Sequence, residues 1–385
     1  MDRPTRRYDE LDGIRGLAAL VVVLTHCLMA MPAAWPDSTA PDRAGSFIGV
    51  DGPLVLLGIA SVRVFFVLSG FVLTLPILAQ RNGPYTIFLI RRIARIYVPF
   101  AAAVALSAVA CSLLPWPAVP AMSDWFNRIA SAPITPELLA GHLLMSADPA
   151  FQTLDPPIWS LVHEMRISLI FPVLAFLVLK RPALAAAAAS ALFVLGYLPA
   201  LSSTLSPYPL IFNLARTAPF LIYFVAGILA AIHLDRIATW LDRVGPRGRV
   251  ALWLFAAALL TFPGGPRIQP VNFLAYGLGG TLLVCLVINS ARARAVLGRP
   301  VLRWLGRISY SLYLVHCIVL VVLVRVLIGI VPPWLAVAAV PAVSLAAATL
   351  MCSWIEAPSQ HAGRFISAVW SQRRARRRGQ PTTAV

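Results

Sequence analysis

The first long apolar stretch of the chain reads LDGIRGLAALVVVLTHCLMAM and covers residues 11–31. It can cross a bilayer as one helix, because a crossing needs about 20 apolar residues. Arg15 and His26 have ten residues between them, so at about 100° per residue they project from one face of that helix. Ionisable groups inside a membrane are costly, and they usually face a cavity or a partner. The stretch therefore predicts a functional helix face, with a boundary role for Arg15 and a structural hydrogen bond for His26 as the alternative.

The overall composition excludes an ordinary soluble domain. Hydrophobic residues make up 59% of the chain and charged residues 12%, whereas soluble domains contain about 25% charged residues. We therefore predict an all-α polytopic membrane protein. The five cysteines show no metal-ligand spacing and lie in apolar segments, which predicts no disulfide framework and no metal site. The net charge of +17 comes mostly from arginines distributed along the topology, so we predict no nucleic-acid partner.

Apolar runs of sufficient length predict about ten membrane helices. Their predicted bounds are 11–31, 53–78, 97–114, 158–179, 183–198, 209–233, 250–262, 271–288, 308–330 and 334–355. Lys and Arg are concentrated in alternate loops and in both terminal segments, whereas the opposite loops hold only Arg43, Arg128 and Arg267. Because basic loops stay in the cytoplasm, this alternation predicts cytoplasmic N- and C-termini.

One integral-membrane domain is predicted over residues 11–363, after a basic cytoplasmic segment at 1–10. An Arg-rich cytoplasmic tail is predicted at 364–385, and its basic run at 373–378 is predicted to be a disordered arm that rests on anionic lipid. Glu356 and Pro358 are predicted to end the tenth helix at the interface. The polar segments 32–52 and 115–157 are long enough to cover a site from outside.

Several polar residues inside the predicted helices share one depth. His26 lies in the same half of the membrane as Arg63, Glu164 and Arg166, and Ser69 follows Arg63 on the second helix. Opposite charges at one depth can form a structural ion-pair network. Together with an aligned histidine, they can also form a proton-transfer site.

A cluster of arginines precedes the predicted third helix. Arg91 and Arg95 share a helix face, and Arg92 lies beside them. Guanidinium groups bind phosphate oxygens bidentately, so a phosphate-bearing ligand is one interpretation. The other is that these charges only set the orientation of the helix in the membrane.

A third polar group lies on the ninth predicted helix. Ser309, Tyr313 and His316 follow the i, i+4, i+7 spacing of one helix face. This stripe indicates either hydrogen bonding between helices or part of a polar site.

These motifs occur together, and in a characteristic order. They read LDGIRGLAAL from residue 11, VFFVLSGF at 64–71, RRIARI at 91–96, WSLVHE at 159–164, SYSLYLVH at 309–316 and WIEAP at 354–358. Over nearly its whole length the chain resembles the membrane acyltransferase-3 family of bacterial O-acyltransferases. The resemblance implies a location in the bacterial plasma (inner) membrane, in contact with its lipids.

The resemblance also implies chemistry. The donor would be cytoplasmic acyl-CoA, usually acetyl-CoA, acting as a co-substrate and not as a tightly bound cofactor. The acceptor would be a hydroxyl of a carbohydrate, a lipid-linked glycan or another envelope or secreted product. His26 and Arg15 would be needed for activity. The arginines before the third predicted helix would help to hold the donor.

We hypothesise that His26 acts as a base or as an acyl carrier, and that Glu164 orients its imidazole. Arg63 or Arg166 would stabilise the oxyanion that develops on the thioester. A transporter or flippase for a polar or anionic solute is the competing class, because it also needs arginines inside the membrane.

Overall fold

The computed structural model describes residues 8–31, 52–80, 83–113, 118–129, 133–146, 154–198, 204–205, 209–263 and 269–377. Helices form the regular structure of these ranges, with no strand among them. In chain order they are α1 Asp9–Ala30, α2 Pro53–Leu78, α3 Tyr85–Leu113, α4 Asp124–Arg128, α5 Pro136–Leu143, α6 Ile158–Lys180, α7 Pro182–Gly196, α8 made of Pro209–Ala215, Ala218–Phe220 and Leu221–Ile232, α9 Leu234–Leu260, α10 Gln269–Ile288, α11 Ala291–Leu297, α12 Pro300–Leu327, and α13 made of Pro333–Met351, Cys352–Glu356 and Ala357–Arg377.

Eight of these helices are long and apolar enough to cross a membrane, namely α1, α2, α3, α6, α8, α10, α12 and α13. The prediction of an all-α polytopic membrane protein is therefore confirmed. Two further predicted crossings are helical but shorter. The helix α7 has 15 residues, and the apolar half of α9 follows a kink at Gly245. The cytoplasmic placement of both termini stays a prediction.

The start of the third predicted helix is wrong. The helix α3 begins at Tyr85, so the arginine cluster lies inside it and not in front of it. A π-helical turn, Ile93–Tyr97, carries the backbone through the cluster. Charged residues had ended the predicted span because they interrupt the apolar run, although they do not interrupt the helix.

The predicted end of the tenth helix is also wrong. A π-helical turn, Cys352–Glu356, joins Pro333–Met351 to Ala357–Arg377. Helices can bend at a proline or at a π-helical turn without ending, so Pro358 does not stop this continuation. The predicted domain boundary between residues 363 and 364 therefore falls inside a helix. The predicted disordered arm is helical as far as Arg377, and residues 378–385 lie outside the described ranges.

Close helix crossings form the centre of the molecule. A Cβ added to Gly70 of α2 would lie 2.3 Å from the Phe224 carbonyl oxygen of α8. A Cβ added to Gly16 of α1 would lie 2.7 Å from the Gly306 nitrogen of α12. Small residues let helix backbones approach closely in membranes. The glycines of the first two motifs therefore bring α1, α2, α8 and α12 together and draw the neighbouring polar residues toward one interior.

Part of the predicted outer cover is tied to the end of α1. The Ser123 hydroxyl donates to the Met29 carbonyl at 2.6 Å, and the Ser123 amide donates to Ala30 at 3.0 Å. These bonds hold α4 against the first helix. Of the other predicted cover, 32–52, all but Gly52 lies outside the described residues, as do residues 1–7 of the N-terminal segment.

Candidate active site

A cavity lies between α1, α2, α3, α6 and α12. It contains about 570 Å³ of empty space, counted with its open mouth. Its polar wall is formed by Arg15, Ser69, Arg95, Ser160, Glu164, Ser309, Tyr310 and Tyr313. The structure thus brings together six of the predicted site residues from five different helices. Apolar side chains, among them Phe65 and Val62, complete the wall.

The cavity carries an excess of positive charge. Arg15 interacts electrostatically with Arg95 and with Glu164. Arg92 interacts with all three of these residues. Glu164 accepts a hydrogen bond from the Ser69 hydroxyl at 2.8 Å. In the part of the chain that the structure describes, neither Arg15 nor Arg95 forms a direct ion pair. Cationic groups that lack an ion-pair partner favour an anionic ligand.

The three clustered arginines occupy different positions. Arg95 lines the cavity and is exposed, so it marks the mouth. Arg92 is half-buried, and its guanidinium carbon lies 5.7 Å from the centre of the Phe88 ring. Arg91 is exposed and does not line the cavity. Within this cluster, Arg95 is therefore the residue best placed to meet a ligand that enters the cavity.

His26 lies outside this cavity and forms a pair with His316. The His26 Nδ1 atom is 2.8 Å from the His316 Nε2 atom. The His26 ring also stacks on Trp125 of α4, with 5.2 Å between ring centres. His26 is half-buried, whereas His316 is buried. The predicted outer segment thus does cover this histidine.

The hydrogen bonds determine the tautomer of each ring. His316 Nδ1 lies 3.0 Å from the Leu312 carbonyl oxygen, which can only accept, so Nδ1 carries the proton. The Nε2 atom of a neutral His316 is then an acceptor, and His26 must donate to it from Nδ1. In neutral His26 the Nε2 atom therefore has the free lone pair. This arrangement can accept a proton at Nε2 and hold the resulting imidazolium through Nδ1–H.

Tyr313 connects the cavity to the histidine pair. It lines the cavity, and its ring centre lies 6.0 Å from that of His316, one helical turn further along α12. Its hydroxyl donates to the Pro157 carbonyl at 3.1 Å and bonds the Ser160 hydroxyl at 2.7 Å. The predicted stripe of Ser309, Tyr313 and His316 therefore runs along one wall from the cavity to the histidine pair.

Two predicted arginines are held elsewhere. Arg63 is buried, with its guanidinium carbon 4.0 Å from the Phe273 ring centre and 5.6 Å from that of Trp159. Arg166 donates to the backbone oxygens of Asn213 and Met145 and to the Thr217 hydroxyl. Neither lines the cavity.

The predicted cluster at one depth therefore separates. Glu164 faces the cavity and Ser69, whereas His26 is oriented by His316. A shared depth fixes the height of a residue in the membrane but not its direction around the helix bundle.

Residues that the sequence reasoning missed support the cavity and the histidine pair. Tyr310 lines the cavity and donates to the Ile96 carbonyl at 2.7 Å. Ser359 donates to the Ala94 carbonyl at 2.8 Å, so both hydroxyls bond the π-helical turn that carries Arg95. Tyr310 lies inside a quoted motif and could have been included. Trp125 and Ser359 carry no periodic signal that points to this site.

The comparisons with known proteins agree with the resemblance. A family model of the acyltransferase-3 group, described as an acyltransferase domain, matches residues 8–353. The chain belongs to the acyltransferase-3 family. This membership confirms the predicted enzyme class, and it favours that class over the transporter alternative. The protein is a multi-pass membrane acyltransferase.

Two relatives of this acyltransferase are informative. Acyltransferase MdmB of Streptomyces mycarofaciens is 29% identical over 331 residues, which cover 82% of this chain and 79% of that protein. Protein 2 in the picA locus of Rhizobium radiobacter is 30% identical over 177 residues, which cover 44% of this chain and 82% of that protein. No solved structure matches the chain.

Proposed function

We propose that the protein transfers an acyl group, acetyl in the simplest case, from cytoplasmic acyl-CoA to a hydroxyl of a carbohydrate or of another envelope or secreted acceptor. The bacterial plasma (inner) membrane is its proposed location. One observation carries the proposal. The chain of hydrogen bonds from Leu312 through His316 to His26 leaves an unprotonated nitrogen on His26, and Tyr313, which lines the cationic cavity, has its ring centre 6.0 Å from that of His316.

The cavity is the proposed donor site. The phosphates of CoA would meet Arg95 at the mouth and Arg92 beside it, because guanidinium groups bind phosphate oxygens well. The pantetheine arm would follow the apolar wall, past Phe65, and bring the thioester to the end formed by Tyr313. Arg15 is about 16 Å along α1 from His26 and interacts electrostatically with Arg95, so it would add to the positive charge that meets the donor phosphates.

His26 is the proposed general base. The acceptor hydroxyl gives its proton to His26 Nε2 while its oxygen attacks the thioester carbonyl. The carbon–sulfur bond then breaks, and the CoA thiolate leaves and takes the proton back from His26. His316 holds the imidazolium through Nδ1–H during this step, which is the orienting role that a carboxylate fills in serine-protease triads. Glu164, bonded to Ser69, would position the donor and not His26.

The test compares cells that lack the gene with cells that express the wild type, His26→Ala or a control variant. His163→Asn is the matched control, since His163 also lies in a membrane helix but bonds Thr217 and does not line the cavity. Mass spectrometry of envelope glycans and secreted metabolites should reveal one acyl mass with the wild type and with the control. That mass should be absent with His26→Ala. Equal expression and equal thermal midpoints of the purified proteins show that each variant is folded.

Retention of the acyl mass in the folded His26→Ala variant would overturn the proposal. A second measurement separates the base from the acyl carrier. Purified protein is mixed with radiolabelled acetyl-CoA, without acceptor, and denatured under mild conditions. A general base predicts no label on the protein, whereas label that disappears with His26→Ala would show that His26 itself carries the acyl group.

A further inference from the structure

Three side chains that bind transition metals meet beside the proposed base. His26 Nδ1, His316 Nε2 and Cys317 Sγ all lie within 4.8 Å of one another. The His26 Nδ1 atom is 2.8 Å from His316 Nε2 and 3.6 Å from Cys317 Sγ. Histidine nitrogen and cysteine sulfur are the ligands that zinc prefers. The proposed mechanism makes no use of Cys317.

The distances are close to those of a zinc site. With Zn–N bonds of about 2.0–2.1 Å and a Zn–S bond of about 2.3 Å, tetrahedral ligand atoms lie about 3.3–3.6 Å apart. The distance from Cys317 to His26 already fits this geometry, and the two histidines need to separate by about half an ångström. His316 also donates through its other nitrogen to the Leu312 carbonyl. That second bond is what orients most metal-binding histidines.

We propose that His26, His316 and Cys317 form a zinc site that switches the acyltransferase off. The ion would take the lone pair of His26 Nδ1, so the one proton of the neutral imidazole would move to Nε2. Cys317 would lose its thiol proton to water and bind as the thiolate. A proton on Nε2 prevents His26 from accepting one from a hydroxyl, so zinc binding and base catalysis exclude each other. The inhibition rests on the proposed role of His26, whereas the binding of the ion does not.

The site leaves one tetrahedral position for water. His26 is half-buried and is covered on one side by Trp125. The exposed part of the His26 side chain is the side from which an ion would enter, because His316 and Cys317 are buried. Because three protein ligands and one water are also the pattern of catalytic zinc, the test has to separate a metal that inhibits from a metal that is required.

The test uses the full-length protein in nanodiscs, freed of metal with a chelator. Co²⁺ serves as the spectroscopic probe, because a thiolate bound to Co²⁺ gives a charge-transfer band in the near ultraviolet. Cys317→Ser removes the thiolate. Cys27→Ser is the matched control, since Cys27 is a buried cysteine directly after His26 that is not among the three ligands.

The wild type and Cys27→Ser should bind one Co²⁺ with the thiolate band, lose the band when Zn²⁺ is added, and lose acyl transfer in Zn²⁺. Cys317→Ser should lack the band and need more than about tenfold higher Zn²⁺ for the same inhibition, since even second-shell changes weaken metal sites by about 10- to 100-fold. Its metal-free activity should equal that of the wild type.

Absence of the band in the wild type would overturn the site. Equal Zn²⁺ sensitivity of Cys317→Ser and the wild type would also overturn it. Activity that disappears with the chelator and returns with Zn²⁺ would overturn the inhibitory role. If the protein binds Co²⁺ as expected but transfers no acyl group, the site stands and the proposed function fails.

Discussion

Replacement of His316 tests the orientation of the proposed base. His316→Phe keeps a flat ring of similar size but removes both the acceptor for His26 Nδ1–H and the donor to Leu312. His26 could then adopt either tautomer and could rotate. His316→Gln is the matched variant, because its amide can donate to Leu312 and accept from His26. We expect His316→Phe to impair catalysis strongly and His316→Gln to retain most of it.

The magnitude follows from one bond. During transfer His26 becomes an imidazolium, so its bond to His316 becomes a hydrogen bond from a charged donor, which contributes about 1.5–3 kcal/mol. Since about 1.36 kcal/mol corresponds to a tenfold change in rate, kcat should fall by about 10- to 150-fold in His316→Phe. This loss is smaller than the roughly 10⁴-fold cost of a wrong tautomer in serine proteases, where the orienting group is a full negative charge.

The assay follows the release of free CoA thiol by the purified protein in nanodiscs, with envelope extract as the acceptor. His316 does not line the donor cavity, so KM for acyl-CoA should stay within about twofold while kcat falls. Thermal midpoints of both variants provide the folding control. Wild-type kcat in His316→Phe would refute the orienting role. Equal losses in the Phe and Gln variants would refute the tautomer argument, because only the Gln side chain preserves both bonds.

Three further predictions concern donor binding, packing and pH. Arg95→Gln should raise KM for acyl-CoA by about 10- to 100-fold, the loss expected for a charged hydrogen bond. Arg91→Gln should change this KM by less than about threefold, because Arg91 lies outside the cavity wall. Steady-state kinetics measure both values, and equal effects would favour a role of both arginines in membrane topology alone. Gly70→Ala places a Cβ 2.3 Å from a backbone oxygen and should destabilise the protein by about 1–3 kcal/mol. In Gly83→Ala the new Cβ would lie 3.6 Å from its nearest neighbour, and the stability should stay within about 0.5 kcal/mol of the wild type. Thermal midpoints measure both effects, and equal midpoints would contradict the close crossing of α2 and α8 at Gly70. Asp155 is buried, and burial raises the pKa of its carboxyl group well above the usual value. The folded state therefore binds a proton that the unfolded state releases, and stability falls as pH rises from the unfolded pKa through the raised one. The thermal midpoint of the wild type should therefore fall relative to that of Asp155→Asn as the pH rises above the unfolded carboxyl pKa of about 4, and a difference that does not change with pH would contradict this reasoning.

Much of the fold follows from apolar length and motif order. The second helix occupies the predicted residues, Pro53–Leu78, and the first and fourth begin or end within two residues of their predicted bounds. Long apolar runs limit the possible boundaries, because a chain in a membrane must satisfy its backbone within the helix. The largest errors fall where charge or proline lies inside a helix: at Arg91, at Pro358, and at Arg303 and Arg307, since the ninth predicted helix begins at Pro300 and not at residue 308. Local composition indicates a helix boundary at each of these places, but packing of neighbouring helices continues the structure.

The sequence predicted several residues of the site correctly, but it did not predict which of these residues contact each other. Arg15, Ser69, Glu164 and Tyr313 came from helix depth and spacing, and they do meet in one cavity. The partner of His26 could not be assigned in this way, because His316 is 290 positions away. Packing sets how each helix is rotated about its own axis, and this rotation decides which residues of two helices face each other. The same separation hides the three potential zinc ligands from any search for closely spaced metal motifs.

The wall formed by α12 explains how the two ends of the site depend on each other. At one end Tyr310 bonds the carbonyl of Ile96, within the π-helical turn that carries Arg95. Two turns further along the same helix, His316 orients His26. The hydroxyl groups of Tyr310 and Ser359 both donate to carbonyl oxygens of this turn, so groups outside its own helix hold it in place. A small rotation of α12 would therefore move the donor arginine and the proposed base together and change both KM for the donor and kcat, whereas His316→Phe, which leaves the helix in place, should lower kcat alone.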